Sequence, residues 1–185
     1  VLREITVLVR KKKVAEAETA AIALVTELRK TLQYRDLVVV LSLRVAVGFD
    51  KEEPGDLLEA SAELIDLTTE LGARSKLVRA QRNRALILGK AGLSELKRKN
   101  SKAFATDFCE AAELHMAVGR LDLAEKSLEF VQRYYWASKQ FELAKPIEDQ
   151  LKKIRKLTRQ NKKATKSLRR DITSNGADPL VLESS

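Results

Sequence analysis

Only one cysteine, Cys109, occurs in 185 residues, so the chain can form no internal disulfide framework, and the usage fits a reducing compartment. His115 is the single histidine, and one His with one Cys meets no zinc-ligand spacing. The two are six residues apart, which at ~100° per residue sets their side chains about 120° apart on a helix and argues against a local Cys–His dyad. The loop signatures G-x-G-x-x-G and G-x-x-x-x-G-K-[ST] are missing, as is G-x-S-x-G. Acidic pairs such as Glu52 with Glu53 and Glu110 with Glu113 read as solvated faces rather than acid and base. The expectation is therefore a non-enzymatic chain with no catalytic residue, no metal site and no cofactor. No apolar run approaches the ~18–20 residues of a membrane span, and the first residues lack the pattern of a signal peptide. The expected location is inside the cell, the cytoplasm first and the nucleus second. The chain begins at Val1 rather than Met, which reads as a fragment or a processed form.

What is present is a repeat. Val14-x-x-Ala17-x-x-x-Ala21-x-x-Leu24-x-Thr26-Glu27-Leu28 recurs 43 residues later as Leu57-x-x-Ala60-x-x-x-Leu64-x-x-Leu67-x-Thr69-Glu70-Leu71. Apolar positions three and four apart place these side chains on one helical face, and a fixed period of this size suggests stacked helix pairs that cannot bury their apolar faces alone. Helices are predicted over Val14 to Leu32, Gly55 to Leu71 and Leu77 to Leu88, the last ending near Gly89 and Gly92. Others follow over Phe104 to Val118 and Leu121 to about Tyr135, and from Phe141 or Leu143 into the basic end. Pro146 is tolerated there only in the first turn. Ile5 to Val9 and Leu37 to Val47 are dense in β-branched residues and also read as strands of a βαβ unit. A stable sheet needs a third strand that the chain does not offer, so buried helices are the preferred reading.

The stretch Phe108-x-x-x-Ala112-x-x-His115-x-x-x-Gly119-x-Leu121-x-x-Ala124-x-x-x-Leu128-x-x-Val131 resembles the helix hairpins of the tetratricopeptide-repeat family. The resemblance spans about residues 14–131 and implies an all-α fold: a short right-handed α-solenoid of tetratricopeptide-like hairpins followed by a long basic terminal helix. It implies packing roles for the small residues Ala17, Ala60, Ala112 and Ala124, with Gly119 at the turn. His115 and Leu121 stand where that family commonly has Tyr. Lys97 stands where another small residue is expected, so residues 96–100 read as a truncated or irregular helix. An irregular helical bundle is the alternative architecture.

Charge is unevenly placed. Residues 1–151 carry 25 Lys and Arg against 23 Asp and Glu, whereas Lys152 to Arg170 holds ten basic residues and no acid. Those ten, Lys152, Lys153, Arg155, Lys156, Arg159, Lys162, Lys163, Lys166, Arg169 and Arg170, are the candidate surface for a protein partner or for nucleic acid. A second, weaker basic stretch runs from Arg74 to Lys102. Through the terminal segment Ile147, Leu151, Ile154, Leu157, Asn161, Ala164, Leu168 and Ile172 recur at threes and fours, the stripe of an amphipathic helix that caps the array or docks on a partner. Five of the nine aromatics fall within residues 130–141, with Tyr135 or Trp136 the expected exposed contact. The chain thus divides into a helical-repeat domain (1–151), a basic amphipathic helix (152–172) and a polar tail (173–185). The expected function is a protein–protein interaction scaffold or adaptor, a subunit or segment of a larger intracellular complex. The alternative is an RNA- or DNA-binding helical protein that uses the basic helix.

Overall fold

The computed structural model describes residues 2–49 and 55–174, with side chains to residue 170. Among these residues the protein is all-α, with eight helices: α1 Leu2–Arg10, α2 Val14–Lys30, α3 Tyr34–Gly48, α4 Gly55–Glu70, α5 Arg74–Lys97, α6 Ser101–Ala117, α7 Leu121–Ala137 and α8 Phe141–Ser174. Two compact units result, Val1–Arg120 with α1 to α6 and Leu121–Ser185 with α7 and α8. Within each, helices pack chiefly on their neighbours in sequence, as hairpins, and the α5–α6 pair has the most extensive contact.

Six of the joints share one hydrogen-bond closure. A residue with positive φ stands two places before each following helix: Lys12, Leu32, Gly72, Lys99, Gly119 and Lys139. Its N–H bonds back to the carbonyl three residues earlier, and the next N–H reaches five residues back, as in Leu32 to Arg29 (3.4 Å) and Gln33 to Leu28 (3.1 Å). Such a double closure satisfies helix-end carbonyls that would otherwise lack partners. Gly72 and Gly119 take the left-handed conformation without cost, but a residue with a Cβ pays roughly 1 kcal/mol for it. Leu32 is exposed, so its side chain gives little in return. Leu32→Gly is expected to raise the unfolding free energy by about 1 kcal/mol, read as a higher urea midpoint at unchanged slope.

The β-branched segment Leu37 to Val47 lies in α3, and Ile5 to Val9 lies in α1. The helical reading holds because α3 packs against both α2 and α4 and also touches α5. A helix apolar on most sides is one enclosed by neighbours; Leu37, Val38, Val40, Leu41, Val45 and Val47 are all buried. The 43-residue repeat falls on α2 and α4, where Ala17, Ala21, Ala60 and Leu64 are buried. A forked ion pair ties these two helices, with Arg29 Nε donating to Glu63 Oε1 at 2.8 Å and Arg29 Nη2 to Glu63 Oε2. Ala112 and Ala124 are buried as well.

Three boundaries differ from the sequence reading. Helix α5 continues through Gly89 and Gly92 to Lys97, because Gly92 marks a close approach rather than an end: a Cβ there would lie 2.6 Å from Phe108 Cδ2. Residues 96–100 are not an irregular helix but the regular end of α5 and its closing turn. Pro146 lies inside α8, beyond the first turn. The carbonyl it leaves without an N–H is that of Glu142, an exposed residue at the start of the helix, where water can replace the lost bond.

Candidate functional site

Helix α8 has two halves. Its first part packs on α7, burying Ala144, Ile147, Leu151 and Ile154 opposite a helix whose Ala124, Leu128 and Val131 are buried too. Arg155 fastens the pair, with Nε donating to Glu125 Oε1 at 2.7 Å and Nη2 to Glu129 Oε1 at 2.8 Å. Beyond this clamp only Thr158 is still half-buried. Every residue from Arg159 to Arg170 is exposed, and so is Leu157. The predicted apolar stripe therefore splits at Ile154: Ile147, Leu151 and Ile154 cover α7, whereas Leu157, Asn161, Ala164 and Leu168 cover nothing. The side chain of Ile172, and the tail from residue 175 onward, lie outside the described residues, as do Glu52, Glu53 and Pro54. The segment 152–172 is thus the outer part of a continuous helix that begins at Phe141.

A seven-residue recurrence organises this outer part. Arg155-Lys156-Leu157-Thr158-Arg159-Gln160-Asn161 is followed by Lys162-Lys163-Ala164-Thr165-Lys166-Ser167-Leu168 and then by Arg169-Arg170: two cations, an aliphatic residue, Thr and a further cation. Reading the apolar stripe alone hides this pattern. At ~100° per residue all eight cations from Arg155 to Arg170 fall within an arc of about 140°, with Leu157, Asn161, Ala164 and Leu168 on the opposite side. An open groove of about 550 Å³ runs along the basic face, lined by Lys152, Arg155, Lys156, Arg159, Gln160 and Lys163. Lys152 donates to Asp149 Oδ1 at 2.9 Å and holds that carboxyl below its usual range. Lys156, Arg159, Lys162, Lys163 and Lys166 make no hydrogen bond or ion pair among the described residues.

At the other end of α8 lies the aromatic group. Of the two expected contacts, Trp136 is 52% exposed, whereas Tyr135 is 9% exposed and belongs to the interior. Phe141 extends the exposed patch, whereas Leu143, exposed as well, lies about 200° around α8 from it. Trp136 and Phe141 meet edge to face at 5.1 Å, and Trp136 Nε1 donates to Glu148 Oε1 at 3.0 Å. The indole is thereby held in one orientation on the surface.

A third feature was not anticipated. A cleft of about 270 Å³ between α4, α5 and α6 is lined by Leu58, Ala91, Glu95, Arg98 and Asp107 among others. Lost hydration pushes the Asp107 carboxyl up to about 6, with Glu95 and Glu110 adding to the shift and Arg84 opposing it. Arg84 bridges the three helices, donating to Glu110 Oε1 at 2.7 Å, the Leu58 carbonyl at 2.6 Å and Ser61 Oγ at 3.2 Å. An acid whose folded pKa lies above its unfolded value of about 3.9 stabilises the fold only while protonated. That contribution is present below about pH 4 and is lost as pH rises through about 6. Asp107→Asn is accordingly expected to raise the melting temperature at pH 7.5 and leave it nearly unchanged at pH 4, as measured by calorimetry. Nearby, burial followed by the charge of Glu113 pushes the Cys109 thiol up, away from the reactive thiolate form.

Among the described residues no group of three or more His, Cys, Asp or Glu is placed to hold a metal ion, and no helix is long and apolar enough to cross a membrane. No family model matches the chain, and comparison with curated proteins and with solved structures likewise found no match.

Proposed function

We propose that the protein is a non-enzymatic scaffold or adaptor that joins a protein partner within a larger intracellular assembly. The sequential hairpins, the 43-residue repeat on α2 and α4 and the shared turn closure support reading α1 to α6 as a short, irregular α-solenoid of tetratricopeptide-like hairpins. The observation that carries the functional reading is the exposed pair of Trp136 and Phe141. Large apolar side chains grouped in water mark contact sites, and Trp is favoured at binding hot spots because it joins wide apolar area to a polar handle. Fixing the indole by the Phe141 ring and Glu148 lowers the ordering cost of binding.

The test is affinity capture with the full chain, followed by mass measurement of the recovered complex. The wild type is expected to retain a protein at fixed stoichiometry, and Trp136→Ala with Phe141→Ser is expected to release it. A partner held equally by the double variant would remove the patch from the reading. Recovery of nucleic acid with no protein at fixed stoichiometry would remove the scaffold itself.

A further inference from the structure

We infer that the outer half of α8, residues 155–170, binds the phosphate backbone of nucleic acid without regard to base sequence. This goes beyond the scaffold reading and does not depend on it, because it uses the opposite end of α8 from Trp136. Three observations favour a polyphosphate over an acidic protein surface. First, the face consists of Lys and Arg alone, eight in sixteen residues with no acid among them. The centre of a protein interface is depleted of charge, Lys above all, and needs an apolar core to bury. Here Leu157 and Leu168 lie on the far side of the helix, so a protein partner would meet a charged rim with no centre. Second, the cations recur every seven residues over sixteen residues of helix, about 24 Å at 1.5 Å per residue. That is a row of charges suited to a ligand that is itself a row of charges. Third, five of these cations lack partners among the described residues and project where no other element covers them. Their positive charge is free to displace counterions rather than being spent on internal pairs.

A phospholipid surface offers the same charge but fits less well. A helix lying in a membrane interface needs an apolar face with bulky side chains, and this one presents two leucines, an alanine and an asparagine. A second copy of the segment does not suit this face, since two basic faces repel.

The magnitude follows from counterion release, with log K falling by about 0.9 per neutralised phosphate for each decade of salt on duplex DNA. Five free cations give a slope of about −4.5, or about 500-fold weaker binding between 50 and 200 mM salt. The experiment is fluorescence anisotropy of the full chain with a labelled 20-base-pair mixed-sequence DNA duplex. Parallel arms use a 20-nucleotide RNA strand, poly-glutamate and phosphatidylserine vesicles. The expected results are a dissociation constant of about micromolar or tighter at 50 mM salt, a slope near −4.5 on the duplex and a shallower one on the single strand. The variant Lys156→Gln, Arg159→Gln, Lys162→Gln, Lys163→Gln, Lys166→Gln should lose at least 100-fold and most of the slope, while circular dichroism of the body is unchanged. A control removes four exposed cations from α5, Arg74→Gln, Lys76→Gln, Arg79→Gln and Arg82→Gln, and should lose less than threefold. A slope shallower than −2 would overturn the inference, as would equal losses in the two variants. So would poly-glutamate or vesicles holding the chain as tightly as the duplex at equal charge concentration.

Discussion

Phe104→Ala is expected to lower the unfolding free energy by about 3–5 kcal/mol, the range for deleting an enclosed aromatic side chain. The ring is fully buried in α6, 5.2 Å from that of Phe108, and belongs to the most extensive helix pair in the chain. Truncation removes the transfer free energy of the ring and leaves a hole lined by side chains that cannot all move inward. Domains of this kind have only about 5–15 kcal/mol in reserve, so the variant should melt many degrees lower or fail to accumulate. Urea unfolding followed by far-ultraviolet dichroism reads the cost, and a value below 1 kcal/mol would show that Phe104 does not anchor α6.

The second large effect is one of opposite signs within a single turn of α5. Gly92→Val is expected to cost about 2–3 kcal/mol, because its Cβ would meet Phe108 Cδ2 at 2.6 Å, Phe108 Cε2 at 2.8 Å and Asp107 Cβ at 3.3 Å. An aromatic ring is stiff and cannot fold away like the end of a lysine. Gly89→Ala should instead stabilise by about 0.5–1 kcal/mol, since nothing lies within 4 Å of the added methyl and a mid-helix glycine is entropically costly. Combining Gly92→Val with Phe108→Leu should recover part of the loss if the ring is the obstacle. A Gly92→Val protein as stable as the wild type would refute the close α5–α6 approach.

These two glycines show where sequence reasoning stopped short. Both read as helix ends, since composition cannot tell a residue chosen for backbone freedom from one chosen for having no side chain. Gly72 and Gly119 were legible as stops, whereas Lys12, Leu32, Lys99 and Lys139 perform the same turn unseen, because a cost of roughly 1 kcal/mol is small enough for a side chain unbranched at Cβ to bear where the helices on either side fix the turn. Helices α2, α4, α6 and α7 were readable from alanine and leucine at threes and fours. The segment that became α3 was ambiguous because a helix enclosed by neighbours shows no polar face to betray its period. In the candidate site the cations were plain from charge alone, but their freedom was not: Arg155 is spent on Glu125 and Glu129, and Lys163 is not. Tyr135 and Trp136 are one residue apart, about 100° around the helix, and only knowing which side α7 buries separates an interior ring from an exposed one.

The clamp at Arg155 also sets a limit on order. Past it, Thr158 alone among the described side chains is half-buried, and an isolated helix of this length is marginal in water. Its own sequence opposes it further: Lys156, Arg159, Lys163, Lys166 and Arg170 stack at threes and fours, and each like-charged pair at that spacing weakens a helix by about 0.2–0.5 kcal/mol. Neutralising the face would therefore relieve repulsion within the helix and strengthen it. The outer turns of α8 are thus held by their own backbone hydrogen bonds against their own charge, with little help from the rest of the chain.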